Sequence, residues 1–382
     1  MNILVASDSF KGCLSSPQIN DAIERGIRQV VPDSHVIKIP IADGGEGTCE
    51  ALLYTLGGQR VTLTVHDPLM RPITAYYGIL PNGTAIIEMA QAAGLTLLSE
   101  EERNPLYTTT YGVGEMVKDA MARGCRDFII AIGGSCTNDA GLGFFTALGY
   151  TFYDNAGNVL PGIGPSLEKI ATMDDAKVIP ELANCRFQVM CDVTNPFYGP
   201  NGASFVYAPQ KGADPKTVIR LDHGLRHVHR LIQEAFGIDL QTIPGSGAAG
   251  GFGGGLYAFL NAQLIPGIEL LLELVNIDSL LKDVDLMFTG EGKIDHQSAM
   301  GKVLTGLGKR GSRYQIPVIA LCGTVSDGYD DLFSMGITSV FSVLDEPLTA
   351  EQALHPEMTL KRIERTSANI MRAICACRQS AP

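Results

Sequence analysis

The sequence predicts an α/β fold in which a discontinuous Rossmann-like domain with a parallel sheet carries an inserted second domain of mixed α/β type. Short apolar strands alternate with amphipathic helices near both ends of the chain, and β-hairpin character interrupts them in between. The length of 382 residues also exceeds that of a usual single domain. We place the Rossmann-like domain at 1–62 and about 262–382, with about 109–135 added to it, and the second domain in the remainder of about 63–261.

The N-terminal segment shows two strand-loop-helix units. Ile3 to Ala6 is a β-branched run, and Ser15-Ser16-Pro17 marks a helix start, because serine caps helices and proline fits their first turn. Val36 to Ile39 is the next strand, and the following helix ends at Gly57-Gly58. Such units place their loops at the carboxyl ends of parallel strands, where open α/β sheets bind ligands.

The hairpin segment follows, with strands at Ile73 to Leu80 and Thr84 to Met89 around the turn Pro81-Asn82-Gly83. Later strands, each a short apolar run, are predicted at Phe128 to Ile132, Phe187 to Cys191, Ser204 to Tyr207, Val284 to Thr289, Val318 to Cys322 and Val340 to Ser342. Later helices are predicted at Gly112 to Arg123, Leu221 to Phe236 and about Leu360 to Cys375.

Composition excludes several classes of protein. A net charge of −12 disfavours binding to nucleic acid or to anionic lipid, both of which attract basic surfaces. The nine cysteines are odd in number and contain no Cys-x-x-Cys pair, so we expect reduced thiols rather than disulfides or a zinc site. No run of 18 apolar residues and no secretory leader is present, so we expect a soluble, cytoplasmic protein.

The excess of glycine, 43 residues, is densest between Gly245 and Gly255. Gly245-Ser246-Gly247-Ala248-Ala249-Gly250 matches the G-x-G-x-x-G pattern of dinucleotide sites, but Ile243-Pro244 precedes it in place of a clear strand. Three interpretations stay open: a nicotinamide site, close backbone packing or a lid, and a phosphate cradle of another kind, which we favour. The P-loop motif is absent from the sequence.

Acidic residues recur beside glycines where predicted strands end. They occur at Asp43 to Gly47, at Asn138 to Gly141, at Asp192 and at Gly290 to Asp295. Carboxylates close to open backbone N–H groups and a few lysines suit Mg²⁺-assisted phosphoryl transfer, because oxygen ligands hold the ion and N–H groups hold phosphates. The pattern therefore predicts phosphoryl-transfer chemistry.

Long motifs along the chain resemble, in order and spacing, those of the bacterial glycerate kinase family, the class without a P-loop. They are Asp8-Ser9-Phe10-Lys11-Gly12, Ala42-Asp43-Gly44-Gly45-Glu46-Gly47, Arg103-Asn104-Pro105, Thr110-Tyr111-Gly112-Val113-Gly114-Glu115, Gly133-Gly134-Ser135-Cys136-Thr137-Asn138-Asp139, Cys191-Asp192-Val193-Thr194-Asn195-Pro196, Gly245 to Gly255 and Thr289-Gly290-Glu291-Gly292-Lys293-Ile294-Asp295. The resemblance implies transfer of the ATP γ-phosphoryl group to a hydroxyl of D-glycerate. It also implies a Rossmann-like domain and a second mixed α/β domain with the active site in the cleft between them.

Chemistry then suggests a role for each candidate residue. The catalytic candidates are Asp192, Lys11, Asp43 and Lys293. Asp192 or Asp43 would accept the proton of the attacking hydroxyl, and Lys293 would neutralise charge on the transferring group. The substrate-binding candidates are Arg103, Ser9 and Asp8, with Arg103 or Lys11 holding the glycerate carboxylate. The phosphate- or nucleotide-binding candidates are Gly44, Gly45, Gly133, Gly134, Ser135, Gly245, Gly247 and Gly250. Glu291 and Asp295 are the Mg²⁺ ligand candidates.

Two rival functions are kept beside the kinase. One is a non-catalytic sensor of small anions with the same fold, and the other is an NAD-dependent oxidoreductase of 2-hydroxy acids, which rests on the Gly-x-Gly match alone. Among kinase products we favour 2-phosphoglycerate over the 3-phospho isomer. We expect ATP and D-glycerate as small-molecule partners, neither nucleic acid nor membrane, and we carry a homodimer as an open expectation.

Overall fold

The computed structural model of the protein describes residues 1–10, 12–42, 44–295, 298 and 302–379. The chain forms two compact units: unit 1 comprises Met1–Asp43 and Ile268–Pro382, and unit 2 comprises Gly44–Gly267. The predicted α/β class, a discontinuous domain with a parallel sheet interrupted by a second mixed α/β segment, is confirmed.

The strands are labelled in chain order as β1 (Asn2–Ser7), β2 (His35–Lys38), β3 (Gln59–His66), β4 (Pro72–Ile79), β5 (Ala85–Glu88), β6 (Asp127–Ala131), β7 (Thr151–Tyr153), β8 (Thr172–Asp174), β9 (Arg186–Met190), β10 (Gln263–Ile265), β11 (Leu286–Ile294), β12 (Val318–Val325) and β13 (Ser339–Ser342). The α-helices are α1 (Ser16–Arg28), α2 (Thr48–Leu56), α3 (Ala90–Ala93), α4 (Tyr111–Ala122), α5 (Leu142–Ala147), α6 (Ala203–Tyr207), α7 (Pro215–Phe236), α8 (Ala248–Leu260), α9 (Gly267–Leu274), α10 (Ile277–Leu280), α11 (Lys302–Tyr314), α12 (Asp331–Ser334), α13 (Ala350–Ala353) and α14 (Pro356–Gln379). None of the helices in the described part of the chain combines the length and hydropathy that a bilayer crossing requires.

Unit 1 is built on a five-stranded sheet with the spatial order β13-β12-β11-β1-β2, and all its strand pairs are parallel. Read along the chain, this is the doubly wound order 2-1-3-4-5, in which the direction of winding reverses between β1 and β11. Ile3 and Val5 of β1 pack with Phe288 of β11 in a buried core that α1 and α14 help to cover. Open sheets of this order bind ligands beyond the carboxyl ends of the strands at that reversal.

Unit 2 is built on a six-stranded mixed sheet with the order β10-β9-β6-β5-β4-β3. The strands β10, β9, β6 and β5 run parallel, while β4 and β3 continue the sheet as an antiparallel edge. Phe128 of β6 stacks on Phe187 of β9 with ring centroids 4.9 Å apart, inside the larger core. The carboxyl ends of β5, β6 and β9 therefore lie side by side at one edge of this sheet.

The division of the chain differs from the predicted boundaries. Residues 109–135, which we had added to the Rossmann-like domain, contain α4 and β6, and β6 pairs with β5 and β9 in the sheet of unit 2. Residues 44–62 also belong to unit 2, since β3 pairs with β4 there. A short apolar strand followed by a polar loop, the pattern of β6, occurs at parallel strands of both sheets. The pattern therefore could not predict to which sheet this segment belongs.

The strand predicted at Ser204 to Tyr207 was wrong, because the segment forms the helix α6. Its first helical bonds run from the N–H of Val206 to the carbonyl of Gly202 and from Ala208 to Ser204, at 3.1 Å each. A short run of aromatic and β-branched residues has weak intrinsic preference, and packing against α7 and α8 decides its conformation.

Candidate active site

Predicted site residues of unit 1 come together at the reversal of its sheet. Asp8 and Ser9 follow β1, while Glu291 and Lys293 lie near the end of β11, which pairs with β1 in register up to Ser7 and Gly290. All four side chains line one cavity of about 430 Å³. The lining also includes a set of apolar residues, Phe10, Val303, Leu344, Ala353 and Leu354.

The polar wall of this cavity is held by short hydrogen bonds. The N–H of Asp8 donates to the carbonyl of Gly290 at 2.8 Å, which fastens the loop after β1 to β11. Asp8 Oδ1 accepts from the N–H of Ser9 at 2.6 Å. Lys293 Nζ lies 2.8 Å from Asp295 Oδ2, and its side chain keeps 59% of its surface exposed. Lys293 is therefore an accessible cation at the mouth of the cavity.

The two predicted metal ligands share a partner. Ser298 Oγ donates to Glu291 Oε1 and accepts from the N–H of Asp295 at 3.1 Å, so the two carboxylate-bearing residues lie around one hydroxyl. Burial and the nearby charge of Glu291 both act on the Cys322 thiol and raise its pKa to about 12. The described residues contain no group of three or more His, Cys, Asp or Glu side chains able to hold a metal. Mg²⁺ commonly takes only one or two carboxylates together with substrate phosphates, so this pair fits it.

In unit 2, the carboxyl ends of β5, β6 and β9 carry further predicted residues. Gly133 follows β6, and its N–H donates to the carbonyl of Gly44 at 3.1 Å. A Cβ at Gly133 would stand 2.7 Å from the Cα of Gly45, so this glycine permits two predicted phosphate-binding segments to touch. Gly134 has φ +73° and is exposed, and Ser135 is half-buried beside it.

Asp192 follows β9 and is partly buried. Its Oδ1 accepts from the N–H of Gly267, the first residue of α9, at 2.8 Å. A carboxylate at a helix N-terminus is stabilised there by the N–H groups and the helix dipole. The predicted catalytic base is thus fixed in orientation by one of its oxygens.

Arg103 is partly buried, and its Nε is buried with no hydrogen-bond acceptor among the described residues. In that same part of the chain, most arginines form ion pairs, such as Arg71 with Asp67 and Arg226 with Asp222. An arginine without a carboxylate partner retains its charge for a ligand. Binding of the glycerate carboxylate by Arg103 stays a prediction.

The glycines between 245 and 255 are packed against backbone. A Cβ at Gly247 would lie 2.1 Å from the carbonyl oxygen of Pro196, and one at Gly250 would lie 2.2 Å from that of Thr137. Gly245 is buried as well, next to Cys191 Sγ. The N–H of Gly247 donates to Asn195 O at 3.0 Å. The contacts correspond to the close-packing interpretation that the sequence left open, and phosphate binding by Gly245, Gly247 and Gly250 stays a prediction.

Glu88 and Lys211 are buried charged residues of unit 2 that were not predicted as site residues from the sequence. Glu88, 1% exposed, ends β5 and accepts from the N–H of Cys49 at 2.7 Å, and burial raises the pKa of its carboxyl. It follows the apolar run Ala85-Ile86-Ile87, so the rule that found Asp192, an acidic residue at a strand end, could have found it.

Lys211 is 2% exposed and donates to Ser135 Oγ at 2.8 Å and to the carbonyl of Thr137 at 2.7 Å. It stands in the polar stretch Pro209-Gln210-Lys211-Gly212, which looks like a surface turn and carries no signal of burial.

Lys11 and Asp43, predicted as catalytic residues, lie outside the described residues. Their roles stay predictions that rest on the sequence.

Comparison with known proteins identifies the family of the chain. The model of the glycerate kinase family matches residues 3–375. A glycerate kinase of Halalkalibacterium halodurans is 42% identical over 96% of this chain and 97% of its own, and a glycerate 2-kinase of Escherichia coli K12 is 42% identical over 97% of each. A crystal structure from Salmonella typhimurium LT2, assigned as glycerate kinase 2, superposes with a TM-score of 0.89 at 40% identity over 99% of both chains. The chain therefore belongs to the glycerate kinase family.

Proposed function

We propose that this protein is an ATP- and Mg²⁺-dependent glycerate kinase that phosphorylates the 2-hydroxyl of D-glycerate, giving 2-phosphoglycerate and ADP. One observation carries the proposal: Asp8, Ser9, Glu291 and Lys293 line a single cavity at the winding reversal of a parallel sheet. Acidic and basic groups of this kind handle Mg²⁺ and phosphates. The relatives named glycerate kinase support the acceptor, and the Escherichia coli relative named glycerate 2-kinase supports the position.

The proposed cavity has a lining that suits a nucleotide. Its apolar residues would offer a surface to a base, as ligand pockets commonly do, and Lys293 would contact the phosphates. Glu291 and Asp295 would hold Mg²⁺, which supplies charge neutralisation on the phosphate oxygens when bound. Lys293 adds a second positive charge for the bridging oxygen that leaves with ADP.

Unit 2 would supply the groups that act on the acceptor. Arg103, whose charge is not paired with a described carboxylate, would bind the carboxylate of glycerate. Asp192 would accept the proton as the hydroxyl oxygen forms its bond to the γ-phosphorus and the bond to ADP breaks. The N–H groups around Gly134 and Ser135 would bind phosphoryl or carboxylate oxygens.

We infer that the protein is cytoplasmic, because all nine cysteines are free, as expected of a reducing compartment. A homodimer stays an expectation, and sedimentation or light scattering of the purified protein would test it.

The test is release of ADP by the purified protein with ATP, Mg²⁺ and D-glycerate. We expect ADP release that requires all three. Binding of glycerate without ADP release would instead indicate the sensor, and glycerate-dependent absorbance of reduced nicotinamide would indicate the oxidoreductase.

A further inference from the structure

Lys211 is a buried cation in unit 2 that has no role in the reaction proposed above. The ammonium makes two hydrogen bonds, to Ser135 Oγ and to the carbonyl of Thr137, both on the loop after β6. Within the described residues, no carboxylate lies within ion-pair distance of it. A buried ammonium without a paired carboxylate is costly, and proteins keep such groups mainly where charge has a use.

The bond to Ser135 determines what that serine can do. An ammonium has only donors, so Ser135 Oγ must accept from Lys211. The hydroxyl proton of Ser135 is then left for another acceptor, and no described residue provides one. The hydroxyl is thereby turned into a donor for a ligand.

Backbone N–H groups next to this hydroxyl also lack acceptors in the described part of the chain. The N–H of Gly133 donates to Gly44 and that of Cys136 donates to Ala93. Between them, the N–H groups of Gly134 and Ser135 have no acceptor among the described residues. Gly134 is exposed and has φ +73°. Two adjacent N–H groups and one hydroxyl thus lack a described acceptor beside a buried positive charge.

Further polar atoms of the loop are buried and unpaired in the described structure. Thr137 Oγ1 and Asn138 Nδ2 are completely buried with no hydrogen-bond partner there. The backbone of Arg103, whose Nε is also unpaired in the described structure, lies nearby, because a Cβ at Gly212, next to Lys211, would be 2.0 Å from the Arg103 carbonyl oxygen. Unpaired donors and a buried cation near one loop favour the binding of an anion.

We propose that Lys211 is a positioning residue that makes Gly134 and Ser135 an oxyanion-binding loop, with the ammonium behind the loop and the ligand oxyanion in front. This inference rests on the proposed glycerate kinase function. The oxyanion is either the carboxylate of the acceptor acid or the phosphoryl group in transfer. Either one would gain from preorganised donors that need no reorganisation on binding.

The pH dependence of the reaction gives a readout that a packing role would not move. Burial lowers the pKa of the Lys211 ammonium to about 8, while electrostatic interactions with Cys136 and Asp139 act in the opposite direction. As pH rises through that pKa, Lys211 loses its charge and the loop loses affinity for an oxyanion. Arginine stays protonated, so K211R should flatten this part of the profile.

The experiment compares the wild type with K211M, K211R and S135A. The control is K38M, which removes a partly buried ammonium of unit 1 that is ion-paired with Asp21 and Glu24 at 2.6 and 2.7 Å. We expect K211M to fold and to lose about 10- to 100-fold in kcat/KM, the scale of losing one or two oriented donors. A raised KM for D-glycerate identifies the carboxylate, and a lowered kcat at unchanged KM identifies the phosphoryl group. K38M should keep wild-type kinetics.

Several outcomes would overturn the proposal. A folded K211M with wild-type kcat and KM would make Lys211 a packing residue, and so would a K211R variant that is as impaired as K211M with an unchanged pH profile. If K211M does not fold, S135A provides the test. Wild-type kinetics of S135A would contradict the oxyanion-binding role of the loop. If the wild type shows no glycerate-dependent activity, the proposed function fails, and calorimetric binding of inorganic phosphate then tests the loop alone: weaker binding to K211M supports it, and equal binding refutes it.

Discussion

Asp139 shows how strongly single residues hold the loops of unit 2. Its carboxylate is completely buried and accepts from the N–H and hydroxyl of Thr110 at 2.9 and 2.8 Å and from the N–H groups of Gly141 and Gly143 at 3.1 and 3.2 Å. One side chain therefore joins the start of α4 to the loop that leads into α5.

Removing that carboxylate should destabilise the protein strongly. We expect D139A to lower the free energy of unfolding by about 3–5 kcal/mol, because it leaves several buried donors without an acceptor. Urea denaturation measures the change. The control is D154A, whose carboxylate accepts a comparable set of bonds from Ala156 and Asn158 in an exposed turn, where water can replace it. Equal losses in the two variants would contradict the argument from burial.

Asp192 permits a cleaner separation of activity from stability. Asparagine keeps an oxygen that can accept from the N–H of Gly267, but it cannot serve as a base at neutral pH. We expect D192N to retain the thermal unfolding midpoint and to lose about 10²- to 10⁴-fold in kcat. The matched control is D285N, since Asp285 also accepts a backbone N–H, that of Asn2, at 2.8 Å but is assigned no role in the site. Unchanged turnover of D192N would remove Asp192 from the mechanism.

At the residue scale, the sequence could identify groups that follow a recognisable pattern and could not identify groups whose role depends on distant contacts. Asp8, Glu291 and Lys293 were predictable because each follows or ends a strand of clear β character. Lys211 was not, because its partners, Ser135 and Thr137, are more than seventy residues away in the chain.

Among the elements, the loop after β6 depends on a missing side chain. Gly133 brings its loop against Gly44 and Gly45, and a Cβ there would meet the Gly45 Cα at 2.7 Å and the Gly44 oxygen at 3.0 Å. Both obstacles are backbone, which cannot turn aside as a side chain does. The contact between these two segments therefore requires glycine.

We expect G133A to lose about 1–3 kcal/mol of stability and most of its activity, because the backbones must move apart. Differential scanning calorimetry and steady-state kinetics measure the two effects. The control is G306A in α11, where the new Cβ would meet side chains and not backbone, Ile268 at 2.9 Å and Glu269 at 3.8 Å, and where alanine favours the helix. A G133A variant as active as G306A would show that the contact is not needed.

Prediction of the elements succeeded where the periodic pattern was long. The helix at Leu221 to Phe236 was found as part of α7, and the apolar run Phe128 to Ile132 was found as β6 to within one residue. The Ser204 to Tyr207 segment failed because a run of four residues cannot show a period, and its tertiary contacts made it helical.

For the whole molecule, the α/β class could be predicted from the sequence, but the residues that belong to each sheet could not. Repeated strand-loop-helix units at both ends indicated the parallel sheet of unit 1. The strands β5, β6 and β9 of unit 2 are parallel as well, so a local pattern could not assign Phe128 to Ile132 to the correct sheet. Only the pairing partners, which lie far away in the chain, distinguish the two.

The net charge is also a property of the whole chain, and it affects how anionic ligands approach. The net charge of −12 opposes the approach of ATP and glycerate at long range. The proposed site therefore needs cations that are not consumed by ion pairs, and Arg103 and Lys211 meet that need among the described residues of unit 2. This contrast between an acidic exterior and local cations is what an enzyme for two anionic substrates requires.

We propose that the chain phosphorylates the 2-hydroxyl of D-glycerate. Phosphorus NMR of the reaction of the purified protein with ATP, Mg²⁺ and D-glycerate tests it most directly, since the spectrum identifies both the phosphoryl donor and the position of the product phosphate. We predict that the ATP γ-phosphorus signal is replaced by that of 2-phosphoglycerate. A 3-phosphoglycerate signal would contradict the assigned position, and an unchanged ATP spectrum in the presence of folded protein would contradict the assigned function.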